Sequence, residues 1–112
     1  MTKLKHNIRN VGGEVVKNDE TYLLTDNKFL NNLVLSSTLL KPGKSTRGHK
    51  HGGQEEIYFF VDGNGRMEID DEVFDVKKGD VVLIPDGVFH RVHNPTNNPL
   101  YFVCVFDGKR NH

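Results

Sequence analysis

The sequence predicts a single all-β domain, a sandwich or barrel, on three observations. Short apolar runs recur at regular spacing between Gly, Pro, Asn and Asp clusters, giving roughly eight to ten strands. No window of helical length carries a 3.6-residue apolar period. At 112 residues, with 36% hydrophobic and 27% charged, the chain can bury one core without help from disulfides.

Taken in order, Glu14-Val15-Val16 follows the Gly12-Gly13 breaker as a short strand, and Tyr22–Thr25 is a second, closed by Asp26-Asn27. Leu33–Leu40 is a third and stops at Pro42-Gly43. After Gly52-Gly53 the chain resumes at Glu55-Glu56 and runs through Ile57-Tyr58-Phe59-Phe60-Val61. Asp62-Gly63-Asn64-Gly65 reads as a hairpin turn into Met67-Glu68-Ile69, and Asp70-Asp71 as a turn into Val73–Val76. Lys77–Asp80 turns into Val81–Ile84, and Pro85-Asp86-Gly87 reverses into Phe89–Val92. Pro95–Pro99 is the last loop before Leu100–Phe106. The whole chain, 1–112, is expected to be one domain with its core over about 20–106 and a frayed tail at 107–112.

Charge and composition narrow the function. Lys plus Arg and Asp plus Glu both total 15, which argues against a nucleic-acid partner or a charged membrane surface. Cys104 is the lone cysteine and sits in an apolar run, so a buried inert thiol is expected. No segment is long and apolar enough to span a membrane or to serve as an apolar leader, so a soluble, cytoplasmic protein is expected.

Histidines and carboxylates carry the chemistry. Side chains two apart on a strand share a face, so His49 and His51 are expected to project together with Lys50 turned away. Glu56 opens the next run and His90 lies in another strand-like piece. Three imidazoles and a carboxylate are a nitrogen and oxygen set suited to a divalent transition metal. Arg47 shares parity with His49, and Tyr58 with Glu56, so both are expected to face the same cavity. There Arg47 would pair an anionic substrate group and Tyr58 would donate hydrogen bonds or exchange protons. His93 is one register off His90 and is expected on the opposite face; Lys44, Lys50 and Arg91 are expected to be solvated.

At these residues the sequence resembles the cupins, jelly-roll barrels also described as double-stranded β-helices. Their first motif falls on Gly43, His49, His51, Glu56 and Gly63, and their second on Gly79, Pro85, Gly87, His90 and Asn94. All ten positions match, and the step back from Gly63 selects Glu56 over Glu55. The resemblance implies one divalent ion (Mn, Fe, Ni, Co or Zn) on His49, His51, Glu56 and His90. It also implies a small-molecule substrate, and a homodimer formed through the outward apolar faces around 57–61 and 100–106.

Glu56-Ile57-Tyr58, Gly63–Met67 and His90–Asn94 further resemble stretches of cupin-type sugar-phosphate isomerases. Those enzymes have a threonine directly before the first histidine, where this chain has Gly48 and a displaced Thr46. The expected function is therefore a metal-dependent enzyme on a small anionic metabolite, leaning to sugar or sugar-phosphate isomerisation. The alternatives are an iron-dependent dioxygenase and a non-catalytic sugar- or metabolite-binding module.

Overall fold

In the computed structural model, which describes residues 3–50 and 52–108, nine strands and no helix are present among the described residues. They are β1 (Glu14–Asn18), β2 (Tyr22–Asn27), β3 (Leu33–Leu40), β4 (Glu56–Asp62), β5 (Asn64–Ile69), β6 (Glu72–Lys77), β7 (Val81–Ile84), β8 (His90–His93) and β9 (Leu100–Asp107). Two antiparallel sheets form, one ordered β1-β2-β3-β9-β4-β7 and the other β6-β5-β8. The architecture is the jelly-roll expected from the sequence.

Alternation along the strands selects the inner faces. On β4, Glu56, Tyr58 and Phe60 are buried while Ile57 is exposed; on β9, Phe102, Cys104 and Phe106 are buried. The small sheet contributes Met67, Val76 and Val92, each at most 2% exposed. These side chains meet those of the large sheet in one core with Leu40, Ile84 and Leu100. Tyr58 and Phe102 stack with ring centroids 5.4 Å apart, a pair worth about 1 kcal/mol beyond its buried area. Cys104 is buried in this layer, as expected. Buried packing also reaches ahead of β2, since Val11 is 2% exposed.

One turn is not what the sequence suggests. Asp62-Gly63-Asn64-Gly65 is not a hairpin: β4 pairs β7 and β9, whereas β5 pairs β6 and β8. The chain crosses here from one sheet to the other. Gly63 sits at φ +92°, and a Cβ there would lie 2.6 Å from the Pro99 carbonyl oxygen. A two-residue hairpin and a sheet crossing both call on Gly and Asn, so turn chemistry alone cannot separate them. The Asp70-Asp71 turn between β5 and β6 is a hairpin as expected, with Ile69 opposite Glu72.

Candidate metal centre

The segment from Gly43 to Glu55 carries the first histidine and does not form the regular strand that the parity argument assumed. It touches the small sheet through two isolated bridges, Ser45 with His93 and His49 with His90. Between them Gly48 adopts φ +79°, which breaks the alternation, and a Cβ at that position would lie 2.7 Å from the Phe89 ring. That contact explains why glycine, not threonine, precedes His49. Lys50, which lies outside any strand and was expected to turn away, also borders the cavity.

What holds the segment is a set of cross-links to β8. The Thr46 amide donates to the Val92 carbonyl at 2.9 Å, and the Thr46 hydroxyl accepts from the Val92 amide at 3.0 Å. Arg91, expected to be solvated, is half-buried and donates from Nε to the Thr46 carbonyl at 2.8 Å. His93 points to the outer face, as parity requires. There it joins Ser45 (2.7 Å) and Glu68, tying the segment to β5. Asp86 is exposed, and its carboxylate accepts from the Gly53 amide at 2.7 Å and the Gln54 amide at 3.3 Å.

This scaffold gathers three of the four expected ligands. One donor atom from each of His49, Glu56 and His90 falls within 4.8 Å of the others. His51 lies outside the described residues. Donors bound to one ion at about 2.1 Å stand roughly 3–4 Å apart, so closing of about 1–2 Å at the widest pair brings them to an ion. The His49 and His90 rings meet edge to face with centroids 4.6 Å apart. Glu56 is 7% and His90 3% exposed, whereas His49 is exposed at the cavity end.

The His90 ring is oriented for the task. Its Nδ1 lies 3.1 Å from the Val88 carbonyl, which can only accept, so Nδ1 carries the proton. In the neutral ring Nε2 then presents a lone pair, and it faces the Glu56 carboxylate at 3.2 Å. Two acceptors at that distance call for a positive charge between or on them, either a proton or a metal ion. The donor set and this orientation both fit a metal.

The centre lies at one end of a cavity of about 870 Å³. Tyr58, one of the two residues expected to act on substrate, is buried at its wall with its ring 5.7 Å from that of His90. Arg47, the other, is exposed and borders the same space. Sequence reasoning missed Lys17 and Tyr22, which complete the far wall from β1 and β2. It also left Asn94 without a role. That side chain is 1% exposed, and its Nδ2 reaches the carbonyls of Leu40 (3.1 Å), Lys41 (3.2 Å) and Asn98 (2.8 Å). Asn94 therefore ties the end of β3 to the β8–β9 loop and supports the site from outside it.

Residues 37–106, more than half of the chain, match the family profile described as "Cupin domain". The chain belongs to the cupin family. It is 41% identical over 70 residues to an uncharacterised protein of Methanocaldococcus jannaschii, covering 62% of this chain and 56% of that protein. To the oxalate-binding protein of Thermotoga maritima it is 33% identical over 100 residues, or 88% of this cupin and 80% of the relative. It is 29% identical to the glucose-6-phosphate isomerase of Thermococcus kodakarensis, across 88% of this chain and 61% of the enzyme. The chain thus spans little more than half the length of two of these relatives. Among solved structures, one described as a predicted oxalate decarboxylase from Thermotoga maritima superposes with a TM-score of 0.71 at 27% identity. That match covers 77% of this chain and 79% of the other. Among the described residues no helix is long and apolar enough to cross a membrane.

Proposed function

We propose that this cupin holds one divalent transition metal on His49, His51, Glu56 and His90 and acts there on a small anionic, oxygen-rich metabolite. The observation that carries the reading is the convergence of His49, Glu56 and His90 at the end of a cavity whose other charged lining residues among those described, Lys17, Arg47 and Lys50, are basic. Bound there, a divalent ion would supply Lewis acidity toward a carbonyl or hydroxyl oxygen. Arg47 would clamp a carboxylate or phosphate with two parallel N–H donors. Tyr58, on the wall beside His90, would give or take a proton at its hydroxyl.

Among cupin reactions, isomerisation of a sugar phosphate is the reading we favour, in keeping with the isomerase relative. A non-catalytic anion-binding role is favoured by the similarity to an oxalate-binding protein over most of both chains. The ligands in both relatives' names are anions, which agrees with the basic cavity. Metal analysis combined with an oxygen-uptake screen and an aldose–ketose exchange assay separates the readings. A redox-silent metal with exchange supports the isomerase. Iron with substrate-dependent oxygen uptake would replace it with a dioxygenase, and tight binding without turnover with a binding module.

We also propose a homodimer. Ile57 opposite Leu83 and Phe59 opposite Val81 form an outward apolar strip on β4 and the edge strand β7. Ile57 is 36%, Val81 54% and Leu83 69% exposed. A second copy of the chain is the occupant that would cover it.

A further inference from the structure

A β-bulge aims a lysine at the far wall of the cavity. On β1, Val15 pairs with Thr25, and Lys17, two residues on, pairs with Leu24 instead of Leu23. The register slips by one at Val16. Without that slip, strict alternation would set Lys17 on the same face as Val15, the outer one shared with Thr25. With it, Lys17 stands on the face of Leu24, which is buried inward, and Val16 and Lys17 both border the cavity that holds His49, Glu56 and His90.

The lysine is also supported there. Its Nζ lies 6.0 Å above the centre of the Tyr22 ring, itself part of the cavity wall. No ion pair holds it among the described residues. The nearby Asp19 carboxylate accepts from the Tyr22 amide at 3.0 Å and the Thr21 amide at 2.9 Å, and it also feels the charges of Lys17 and Lys41 without forming an ion pair with Lys17. Those two bonds hold its carboxyl below the usual range, with the Tyr22 amide the larger cause. Among the described residues bordering the cavity, the charged side chains other than the histidines are Lys17, Arg47, Lys50 and Glu56, and one further acid, Asp26, is buried on the inward face of β2 beside Leu24.

We infer that Lys17 is a specificity residue, which selects ligands carrying a second anionic group remote from the one that meets His49, Glu56 and His90. The inference rests on the anion-binding reading of the site and adds to it the requirement for two separated charges. A monoanion satisfies one pole of the cavity and leaves Lys17 with solvent. A dianion of suitable length satisfies both, and the gain is that of a charge-assisted contact to an exposed lysine.

The test is calorimetric titration of metal-loaded wild type, Lys17→Gln and Lys17→Arg with length-matched acid pairs. Suitable pairs are malonate with propionate, succinate with butyrate, and glutarate with pentanoate. For at least one length the wild type should bind the dicarboxylate about tenfold tighter than its partner, and Lys17→Gln should bring the two near parity. Lys17→Arg should keep the preference. An unchanged preference in Lys17→Gln overturns the inference, and so does a wild type that never favours the dicarboxylate. Metal content measured on the same samples tests the underlying reading separately. If no ion is bound, the titrations on metal-free protein still decide the role of Lys17.

Discussion

His49 and His90 are directly paired: the His49 amide donates to the His90 carbonyl at 3.1 Å, and the His90 amide donates back to the His49 carbonyl at 3.0 Å. Backbone bonds, not the side chains themselves, hold the two imidazoles at a fixed separation. Such a pair can keep its geometry with or without an ion, which is the condition for a preorganised site.

Replacing His90 by Ala should therefore remove the metal without unfolding the barrel. Elemental analysis of pure protein is expected to show near-stoichiometric metal in the wild type and little in His90→Ala. The wild type should gain about 2.7 kcal/mol of stability at a free-metal concentration a hundredfold above its Kd, a gain the variant lacks. His51→Ala settles whether that residue is a fourth ligand. Full occupancy in that variant would restrict the set to three.

Arg47 borders the cavity beside His49. Arg47→Gln should weaken binding of glucose 6-phosphate about tenfold while leaving metal content, and the weaker binding of glucose, unchanged. Calorimetry on both proteins checks it. Equal loss for the sugar and its phosphate would mean that Arg47 shapes the wall without reading charge.

Sequence and structure part company where regular alternation fails. The convergence of His49, Glu56 and His90 was legible through the cupin motifs on which they fall, and Glu56 and Tyr58 do share an inward face. The face of Lys50 was not, because His49 makes only an isolated bridge and Lys50 lies outside any strand, where alternation does not apply. Lys17 was invisible for a related reason: a bulge is an extra residue in a pairing, and pairings are not written in one strand alone. The crossing at Gly63 required knowing that β5 has β8 for a neighbour, a long-range fact.

Asn94→Ala should cost about 3 kcal/mol of stability. It removes the donor to the Leu40, Lys41 and Asn98 carbonyls and the acceptor for the Thr96 amide at 3.1 Å and hydroxyl at 2.7 Å. Urea unfolding with the metal chelated measures it. A loss under 1 kcal/mol would show that water replaces these bonds.

The apolar strip on β4 and β7 gives a further expectation. Light scattering should report about twice the 12.7 kDa chain mass for the wild type at micromolar concentration. Leu83→Asp, at the exposed edge strand, should shift the mass to that of one chain with the fold retained by circular dichroism. A wild type that scatters as a single chain removes the dimer.

The sheet crossings have a kinetic consequence. Glu56 on β4 belongs to the large sheet and His90 on β8 to the small one, and between them the chain changes sheet three times. The carboxylate and the imidazole therefore meet only when both sheets have closed, among the last contacts to form in a topology dominated by distant pairings. An ion captured there finds no site in the transition state. It should leave the rate of folding nearly unchanged and lengthen the lifetime of the closed barrel, so that metal acts on this protein as a lock and not as a nucleus.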